Sequence, residues 1–477
     1  MSHKEDFLVI TRAYYDPLRR VPGPRLCRFT PLYDWYKSWL GYECRWIEGL
    51  HQKYGPVVRI APNEVVISEG EALAPIYTEK GGFFKSPAYV NFDSEGHPTI
   101  FSGLDSAHRA LRAKAVMPLF STGSLRNGTA ALETCICGMI GRLEDQAEKS
   151  RGAANKTGGL AFVDVLNLSR RLAIDSLCAY LFGKDYGGIR ENGTKLSASM
   201  FVDSIGDFGR FFFLPNWIFL LILNFNLKYF PDAAADKSAA KVDAFTGELV
   251  EKAEASDGTY QSRLLHAGIS AQETDVQLKD VIFAGTDGLG TNFGALLWQL
   301  AKHPEVYKKL RAEVLDAEQQ DPNYDVRELR YLDCVIKEGL RMALANPTRF
   351  PRQVPPTGFS YTSPSSKRTY YLPPGTLVGL QPRTLHFNPA VFHDPWTFKP
   401  ERWLDPSHEM LRDWIPFGLG PRQCIARNLA TYELLLTTRA VARSGVLEGA
   451  KCVQDRLDMV EWFNAKVRGD KIELVWT

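Results

Sequence analysis

The feature that most constrains this chain is a loop rich in glycine and proline that presents a cysteine at the start of a predicted helix. Residues 414–430 read WIPFGLGPRQCIARNLA, and residues 425–443 contain neither Pro nor Gly. A cysteine just before a helix N-terminus has its thiolate stabilised by the positive end of the helix dipole. Backbone N–H groups of such a turn can donate to the sulfur and tune a metal bound there. Cys424 is therefore predicted to be a metal-binding thiolate, the alternative being a buried structural cysteine.

Two side chains near Cys424 extend this interpretation. Phe417 can cover the ligand, and Arg422 can neutralise an anionic cofactor group. The spacing resembles the heme-binding loop of the cytochrome P450 family, Phe-x-x-Gly-x-Arg-x-Cys-x-Gly, except at the last position, where Ala426 replaces glycine. The resemblance implies heme b (iron protoporphyrin IX) as cofactor, with Cys424 as the iron ligand and with Phe417 and Arg422 in contact with the heme.

Two further motifs precede this loop in an order that also resembles the family. Glu338 and Arg341 lie three residues apart in a predicted helix at 332–345, and residues 398–403 read FKPERW. Taken alone, Glu-x-x-Arg is usually a solvated surface pair worth little. In the family, both residues join the arginine of the second motif, here Arg402, in a buried network that holds the cysteine loop. An arginine fork suits this role because it can serve several acceptors at once.

A long predicted helix at 275–303 contains four glycines, at positions 285, 288, 290 and 294. Each glycine costs a helix interior about 1 kcal/mol relative to alanine. Four of them therefore need a reason, such as a flat cofactor pressed against the backbone. Asp287 lies in the same apolar stretch, and we expect it to be either paired or functional, because an isolated buried carboxylate is costly.

This helix departs from the family at one position. Residues 284–288 read AGTDG, whereas the family has Ala/Gly-Gly-x-Asp/Glu-Thr, so Gly288 stands where a threonine is usual. The resemblance implies that Ala284 contacts the heme and that Thr286, Asp287 and Gly288 occupy catalytic positions, where the family delivers protons to dioxygen. Three interpretations stay open: a water beside Gly288 or the hydroxyl of Thr286 or Thr291 replaces the missing group, the substrate supplies it, or dioxygen is not split in the usual way.

Three basic residues match positions that bind the heme propionates in the family. His108 and Arg112 lie in residues 105–121, which resemble the helix at the heme edge, and Arg352 follows the Glu-x-x-Arg helix. All three can pair with carboxylates. The alternatives are a basic surface helix for the first two residues and a solvated loop arginine for Arg352.

Composition and pattern bear on the fold class. The chain has 477 residues, of which 45% are hydrophobic, and its net charge is +2. It can therefore bury a large core, and nothing in its charge points to nucleic acid. Eight scattered cysteines do not form a disulfide framework. Helical patterns dominate residues 105–320, except at 127–128 and 151–159. Short strands are predicted at 56–68, 376–380 and 471–477.

This pattern predicts a mainly α protein with small β-sheets (α+β). The resemblance implies that the chain has the cytochrome P450 fold, with a long central helix over the heme and the cysteine loop before the last long helix. Residues 1–20 are expected to form a polar N-terminal tail, and residues 21–477 a single domain.

The expected activity is that of a monooxygenase that inserts one oxygen atom from O2 into a lipophilic small molecule, as fungal microsomal members do in secondary metabolism. The substrate is expected to contact apolar and aromatic positions, which are residues 89–101, 201–223 and 344–350, the helix near Phe283, Ala284 and Asp287, and Trp462 and Phe463. The alternatives are a heme-thiolate isomerase or dehydratase, an oxidative-coupling enzyme, and a non-catalytic heme sensor.

Electrons must come from another protein, because the chain has no flavin or nicotinamide fingerprint. An NADPH-dependent flavoprotein reductase is the expected partner, docking on a basic face formed by Arg109, Lys114, Arg126 and Arg427. Residues 1–20 contain no apolar run that could span a bilayer, whereas members of this type begin with an anchor. The expected location is the cytosolic face of the endoplasmic reticulum membrane, with peripheral contact through 211–223, or else the cytoplasm.

Overall fold

The computed structural model describes residues 16–157, 160–254 and 256–476, so residues 1–15 of the predicted tail lie outside it. The α-helices are Leu32–Leu40 (α1), Glu43–Tyr54 (α2), Ser106–Val116 (α3), Thr122–Asn127 (α4), Thr129–Thr157 (α5), Val165–Phe182 (α6), Ser199–Phe208 (α7), Asn216–Tyr229 (α8), Ala233–Glu251 (α9), Tyr260–His266 (α10), Ala271–Lys302 (α11), Pro304–Gln320 (α12), Arg330–Ala343 (α13), Pro382–His386 (α14), His408–Asp413 (α15) and Arg427–Ser444 (α16). Short 3-10 turns include Pro87–Phe92, Gly209–Phe211, Pro400–Trp403 and Gly420–Arg422.

The strands of the described residues form four small sheets. They are Val57–Ala61 (β1), Glu64–Ile67 (β2), Phe84–Lys85 (β3), Val163–Asp164 (β4), Arg352–Gln353 (β5), Phe359–Thr362 (β6), Thr369–Leu372 (β7), Leu377–Gly379 (β8), Ala450–Cys452 (β9), Met459–Val460 (β10), Lys466–Val467 (β11) and Glu473–Trp476 (β12). The largest sheet has the order β1-β2-β8-β5-β3, and a second has the order β4-β12-β9; β6–β7 and β10–β11 are hairpins. The mainly α fold with small sheets is as predicted.

Most of the predicted elements are confirmed, and one is wrong. The hairpin at 56–68 is β1–β2, the long helix at 275–303 is α11, and the helix after the cysteine is α16. The predicted loop at 151–159 is wrong in its first part, because α5 continues to Thr157. Its Ala-rich sequence favours helix despite Gly152. The eight cysteines are all free.

The long central helix α11 packs closely on α6, and three of its glycines make this contact possible. A Cβ atom on Gly285 would lie 2.1 Å from Cδ1 of Leu177, and one on Gly290 would lie 2.6 Å from Cγ of Arg170. A Cβ on Gly294 would lie 3.2 Å from the backbone of α6. The cofactor is therefore not needed to explain these three glycines: they permit the close approach of two helices.

Candidate active site

The cysteine loop contains two glycines whose backbone conformation favours glycine. Gly418 has φ +68° and Gly420 has φ +72°, in the left-handed region that disfavours side chains. A Cβ on Gly420 would also lie 1.9 Å from the carbonyl oxygen of Tyr77. The turn closes where the Cys424 N–H donates to the Phe417 carbonyl over 2.9 Å. The glycines thus bring Cys424 to the start of α16, as the sequence predicted.

Cys424 is accessible to solvent although it lies deep within the protein. It is exposed, yet burial raises the pKa of its thiol, and the N–H of Ala426 and the charge of Arg427 act in the opposite direction. An accessible side chain among many protein atoms lies at the wall of an internal opening. The sulfur is therefore positioned to bind a ligand within the protein rather than to pack in a core.

A buried carboxylate organises the segment that supports this loop. Glu338 accepts two hydrogen bonds from Arg341, of 2.8 and 2.9 Å, and one of 3.0 Å from Arg402. The indole of Trp403 and the N–H of Lys399 also donate to it, over 2.9 and 3.0 Å. Glu338 and Arg341 are 0% exposed. The predicted three-residue network is confirmed, and it is a buried network rather than a surface pair.

A histidine that the sequence analysis missed joins this network to the cysteine loop. Arg341 donates to the carbonyl of His386 over 2.8 Å, and the N–H of Ile415 donates to Nε2 of the same histidine over 2.9 Å. Nδ1 then carries the proton and donates to the Arg341 carbonyl over 3.2 Å. Burial and the charge of Arg341 lower the pKa of His386 to about 3, so the ring is neutral. No local motif marks this residue, because its partners come from two distant segments.

One stripe of α11 faces open space. Ala284 is exposed although its neighbours Ile282 and Phe283 are buried. A Cβ on Gly288 would meet no other atom within 4 Å. Residues four apart lie on the same helix face, so Ala284 and Gly288 line one opening. Thr286 is 0% exposed and its hydroxyl has no partner among the described residues, so its hydroxyl does not face this opening.

Asp287 is a paired carboxylate. Its Oδ1 lies 3.3 Å from Nη2 of Arg170 on α6. The same guanidinium also contacts Asp203 of α7 over 3.3 Å and Asp470, near the C-terminal end, over 3.0 Å. Burial raises the pKa of Asp287, and Arg170 partly offsets that effect. Both alternatives for this residue stay compatible with the structure, since a paired carboxylate can also be a functional one.

Four basic side chains converge near the cysteine loop, and none forms a salt bridge with a described residue. Lys85 and Arg352 are directly opposite each other on β3 and β5, a placement that repels unless an anion lies between them. Burial together with the charges of Arg109 and Arg352 lowers the pKa of Arg422 to about 10. Burial and the nearby arginines also lower the pKa of Lys85. The set fits an anionic cofactor with two carboxylates, such as the heme predicted from the sequence.

His108 and Arg112, the other two predicted propionate-binding residues, both contact Glu273 in the structure. Arg112 forms a two-pronged salt bridge with Glu273 of α11, and its Nη1 donates to the carbonyl of His108 over 2.8 Å. His108 Nε2 lies 3.7 Å from Glu273. Each nitrogen of the Arg112 guanidinium therefore has a protein partner, although two of its five N–H groups are unused, and the cofactor roles of Arg112 and His108 stay predictions. The sequence analysis did not single out Lys85, because its proximity to Arg352 depends on the pairing of β3 with β5. It placed Arg109, which lies on α3, on the docking face.

An aromatic cluster lies next to these cations. Phe212 and Phe463 have ring centroids 4.3 Å apart, and Phe92 and Phe101 are 5.5 Å apart. Tyr89 contacts three of these rings at 5.1 to 6.0 Å. The cluster joins residues from three of the segments predicted to contact substrate, 89–101, 201–223 and the region of Phe463. Tyr89, Phe212 and Phe463 are buried, whereas Phe101 is 36% exposed, so only the exposed part of the cluster can contact an apolar ligand.

Comparisons with known proteins agree with this geometry. Residues 44–443 match the family model "Cytochrome P450". The chain is 38% identical to cytochrome P450 monooxygenase mfmF of Annulohypoxylon moriforme, over 98% of this chain and 97% of that protein. It is 28% identical to cytochrome P450 monooxygenase BOT1 of Botryotinia fuckeliana, over 90% of this chain and 85% of that protein. The fold is similar to the crystal structure of a cytochrome P450 (CYP102L1), with a TM-score of 0.69 at 17% identity, covering 91% of this chain and 94% of that one.

Proposed function

Because this chain belongs to the cytochrome P450 family, we propose that it is a heme-thiolate monooxygenase acting on a lipophilic small molecule in secondary metabolism. The proposal rests mainly on Cys424, which is accessible although burial raises the pKa of its thiol, and which lies just before the start of α16. Bound heme would supply the activation of dioxygen, and Cys424 would hold its iron. Arg352, Arg422, Lys85 and Arg109 would neutralise its carboxylates, and Phe417 would shield the sulfur.

The residues of α11 would control protons and water at the reaction site. Gly288 leaves space on the open stripe, where a water or a substrate hydroxyl can stand in place of the usual threonine. The burial of Thr286 makes its hydroxyl a poor substitute. Burial favours the protonated form of Asp287 by raising its pKa, while the contact with Arg170 opposes that effect, so movement of the carboxylate away from Arg170 would help it to hold a proton.

The test of this function is turnover with isotopically labelled dioxygen. We expect a host that expresses the chain with a reductase to accumulate a product that carries one labelled oxygen atom and is absent from the host alone. Formation of the product should need NADPH. Turnover without any reductant, with no label incorporated, would instead favour an isomerase or dehydratase, for which Gly288 is the supporting observation.

Lys85 provides a prediction on cofactor retention. Replacing Lys85 with methionine should speed the loss of heme to an apomyoglobin acceptor about tenfold, because a charge-assisted contact contributes roughly 1.5–3 kcal/mol. The matched control is Lys53→Met, which changes an exposed lysine on α2. Equal rates of heme loss from the two variants would show that Lys85 does not contact the cofactor.

We also propose that an NADPH-dependent flavoprotein reductase docks near the cysteine loop. Lys114 and Arg427 are exposed, and Arg427 begins the helix that follows Cys424. Arg126 is exposed but lies 3.3 Å from Asp325, which partly neutralises its charge, and Arg109 is only partly exposed. We therefore expect both to contribute less to docking than Lys114 and Arg427. Reversing both exposed charges, by Lys114→Glu and Arg427→Glu, should slow reduction about tenfold at low salt and much less at high salt. Lys53→Glu is the control, and an unchanged rate in the double variant would contradict the docking face.

We propose peripheral contact with the cytosolic face of the endoplasmic reticulum membrane through α8. Trp217 and Leu221 are 69% and 63% exposed, whereas Phe212 and Leu214 are buried. The contact surface therefore starts later than residue 211 and continues to Phe230, which is 68% exposed. No helix in the described part of the chain is both long enough and apolar enough to cross a membrane.

The α8 surface yields a prediction on vesicle binding. Changing Trp217, Leu221 and Phe225 together to serine should weaken binding to phospholipid vesicles about a hundredfold, which corresponds to about 3 kcal/mol of lost apolar burial. Vesicle sedimentation measures this effect. A control with serine at three other exposed apolar positions, Leu315, Leu411 and Val453, should bind as the native chain does. An equal loss of vesicle binding in both triple variants would contradict membrane contact through α8.

A further inference from the structure

The open stripe of α11 has a carboxylate at its N-terminal end. Asp280, Ala284 and Gly288 are four residues apart, so they lie on one face about 6 Å from each other along the axis. Ala284 is exposed, and Gly288 faces free space. Asp280 is half-buried one turn before them. The carboxylate therefore lies at the edge of the same opening that Ala284 and Gly288 line.

Asp280 differs from the other acids of this helix. Glu273 is paired with Arg112, Asp275 lies 3.0 Å from Lys279, and Asp287 lies 3.3 Å from Arg170. Among the described residues, no basic side chain forms a salt bridge with Asp280. Lys85 acts on Asp280 only through space, without a salt bridge, so hydrogen bonds must satisfy this interior carboxylate.

The surroundings of Asp280 leave it free to accept a hydrogen bond. Burial raises its pKa to about 6, while a hydrogen bond from Thr99 and the charge of Lys85 lower it. A carboxylate can accept about four hydrogen bonds, so Thr99 leaves capacity unused. The ammonium of Lys85 donates to the carbonyl of Phe101 and lies 3.9 Å from the ring centroid of Tyr89. Asp280 is thus an acceptor beside the aromatic cluster.

We propose that Asp280 determines specificity by accepting a hydrogen bond from a hydroxyl group of the substrate. The substrate would then have an apolar body, which fits the aromatic cluster, and a hydroxyl at one end. A neutral hydroxyl fits better than an ammonium group, because Lys85 already supplies a positive charge near Asp280. Anchoring one end would fix which carbon lies beside Gly288. This inference rests on the proposed function, since it requires a substrate bound between α11 and the heme.

Imidazoles with an alkyl tail test the inference without knowledge of the substrate. The imidazole nitrogen binds heme iron, and the resulting shift of the absorption band gives the affinity. The probes are pairs of 1-alkylimidazoles of graded length, one member ending in a methyl group and the other in a hydroxyl. At the length that reaches Asp280, we expect Asp280→Ala to weaken binding of the hydroxyl compound about tenfold while binding of the methyl compound is unchanged. Asp280→Asn, which keeps an acceptor oxygen, should retain part of the preference.

The outcomes separate this inference from the proposed function. Damage to the structure would weaken both members of a pair equally, whereas recognition changes only the hydroxyl member. The control Asp275→Ala, which removes an acid of the same helix that is paired with Lys279, should leave the preference intact. If the compounds bind but no length shows a preference that depends on Asp280, the inference is overturned alone. If no imidazole shifts the absorption band, the heme-thiolate proposal fails as well.

Discussion

Replacement of Cys424 by alanine is expected to abolish the absorption band of the reduced, carbon-monoxide-bound protein near the wavelength that gives the family its name. The band requires a thiolate ligand, and turnover should be lost with it. The fold should survive, because the side chain is accessible and its removal costs little packing, about 1 kcal/mol or less. The measurements are the difference spectrum and the urea unfolding midpoint of the same preparation.

Cys137→Ala is the matched control for this variant. Cys137 is also a free, exposed cysteine, and it lies on α5, outside the loop. Its variant should keep both the band and the activity. A thiolate-type band that persists in Cys424→Ala would show that another side chain binds the iron, and the function proposed for the whole site would fall with that result.

Replacement of Arg341 by alanine is expected to lower the free energy of unfolding by about 3–5 kcal/mol, because Glu338 would stay buried with only one of its two guanidinium partners. The variant also loses the hydrogen bond to the His386 carbonyl, so the segment that supports the cysteine loop should loosen. We expect a low yield of heme-loaded protein and an early urea midpoint. Arg341→Lys keeps the charge but not the fork, and it should recover only part of the stability.

The control for Arg341 lies on the same helix. Lys337 pairs with Asp333 over 2.6 Å, but both side chains are partly exposed. Removing such a pair should cost only about 0.3–0.5 kcal/mol. If Lys337→Ala and Arg341→Ala unfold at the same urea concentration, the buried network around Glu338 does not stabilise the fold more than a surface ion pair does.

The sequence was sufficient to predict the features that are formed by residues contiguous in the chain. The cysteine loop from Phe417 to Cys424 is local, so its turn and the helix after it could be inferred directly. The network of Glu338, Arg341 and Arg402 could be predicted only through a family pattern. His386 has no such pattern, and its role follows from its position between two segments that are distant in the chain.

The set of basic side chains near the cysteine loop could be predicted only in part from the sequence. Arg112 matches a family position, but α11 places Glu273 beside it, and that contact uses the guanidinium. Lys85 belongs to no local sequence motif, yet the pairing of β3 with β5 places it opposite Arg352. Long-range strand pairing and helix packing determine such contacts, and a spacing along the chain does not encode them.

The four glycines of α11 differ in what each would tolerate. At position 290 any side chain would collide with the neighbouring helix, so selection for close packing is enough to preserve glycine there. At position 288, by contrast, a Cβ atom would meet no other protein atom within 4 Å. The packing of α11 against its neighbours therefore does not account for the glycine that stands where the family usually has a threonine.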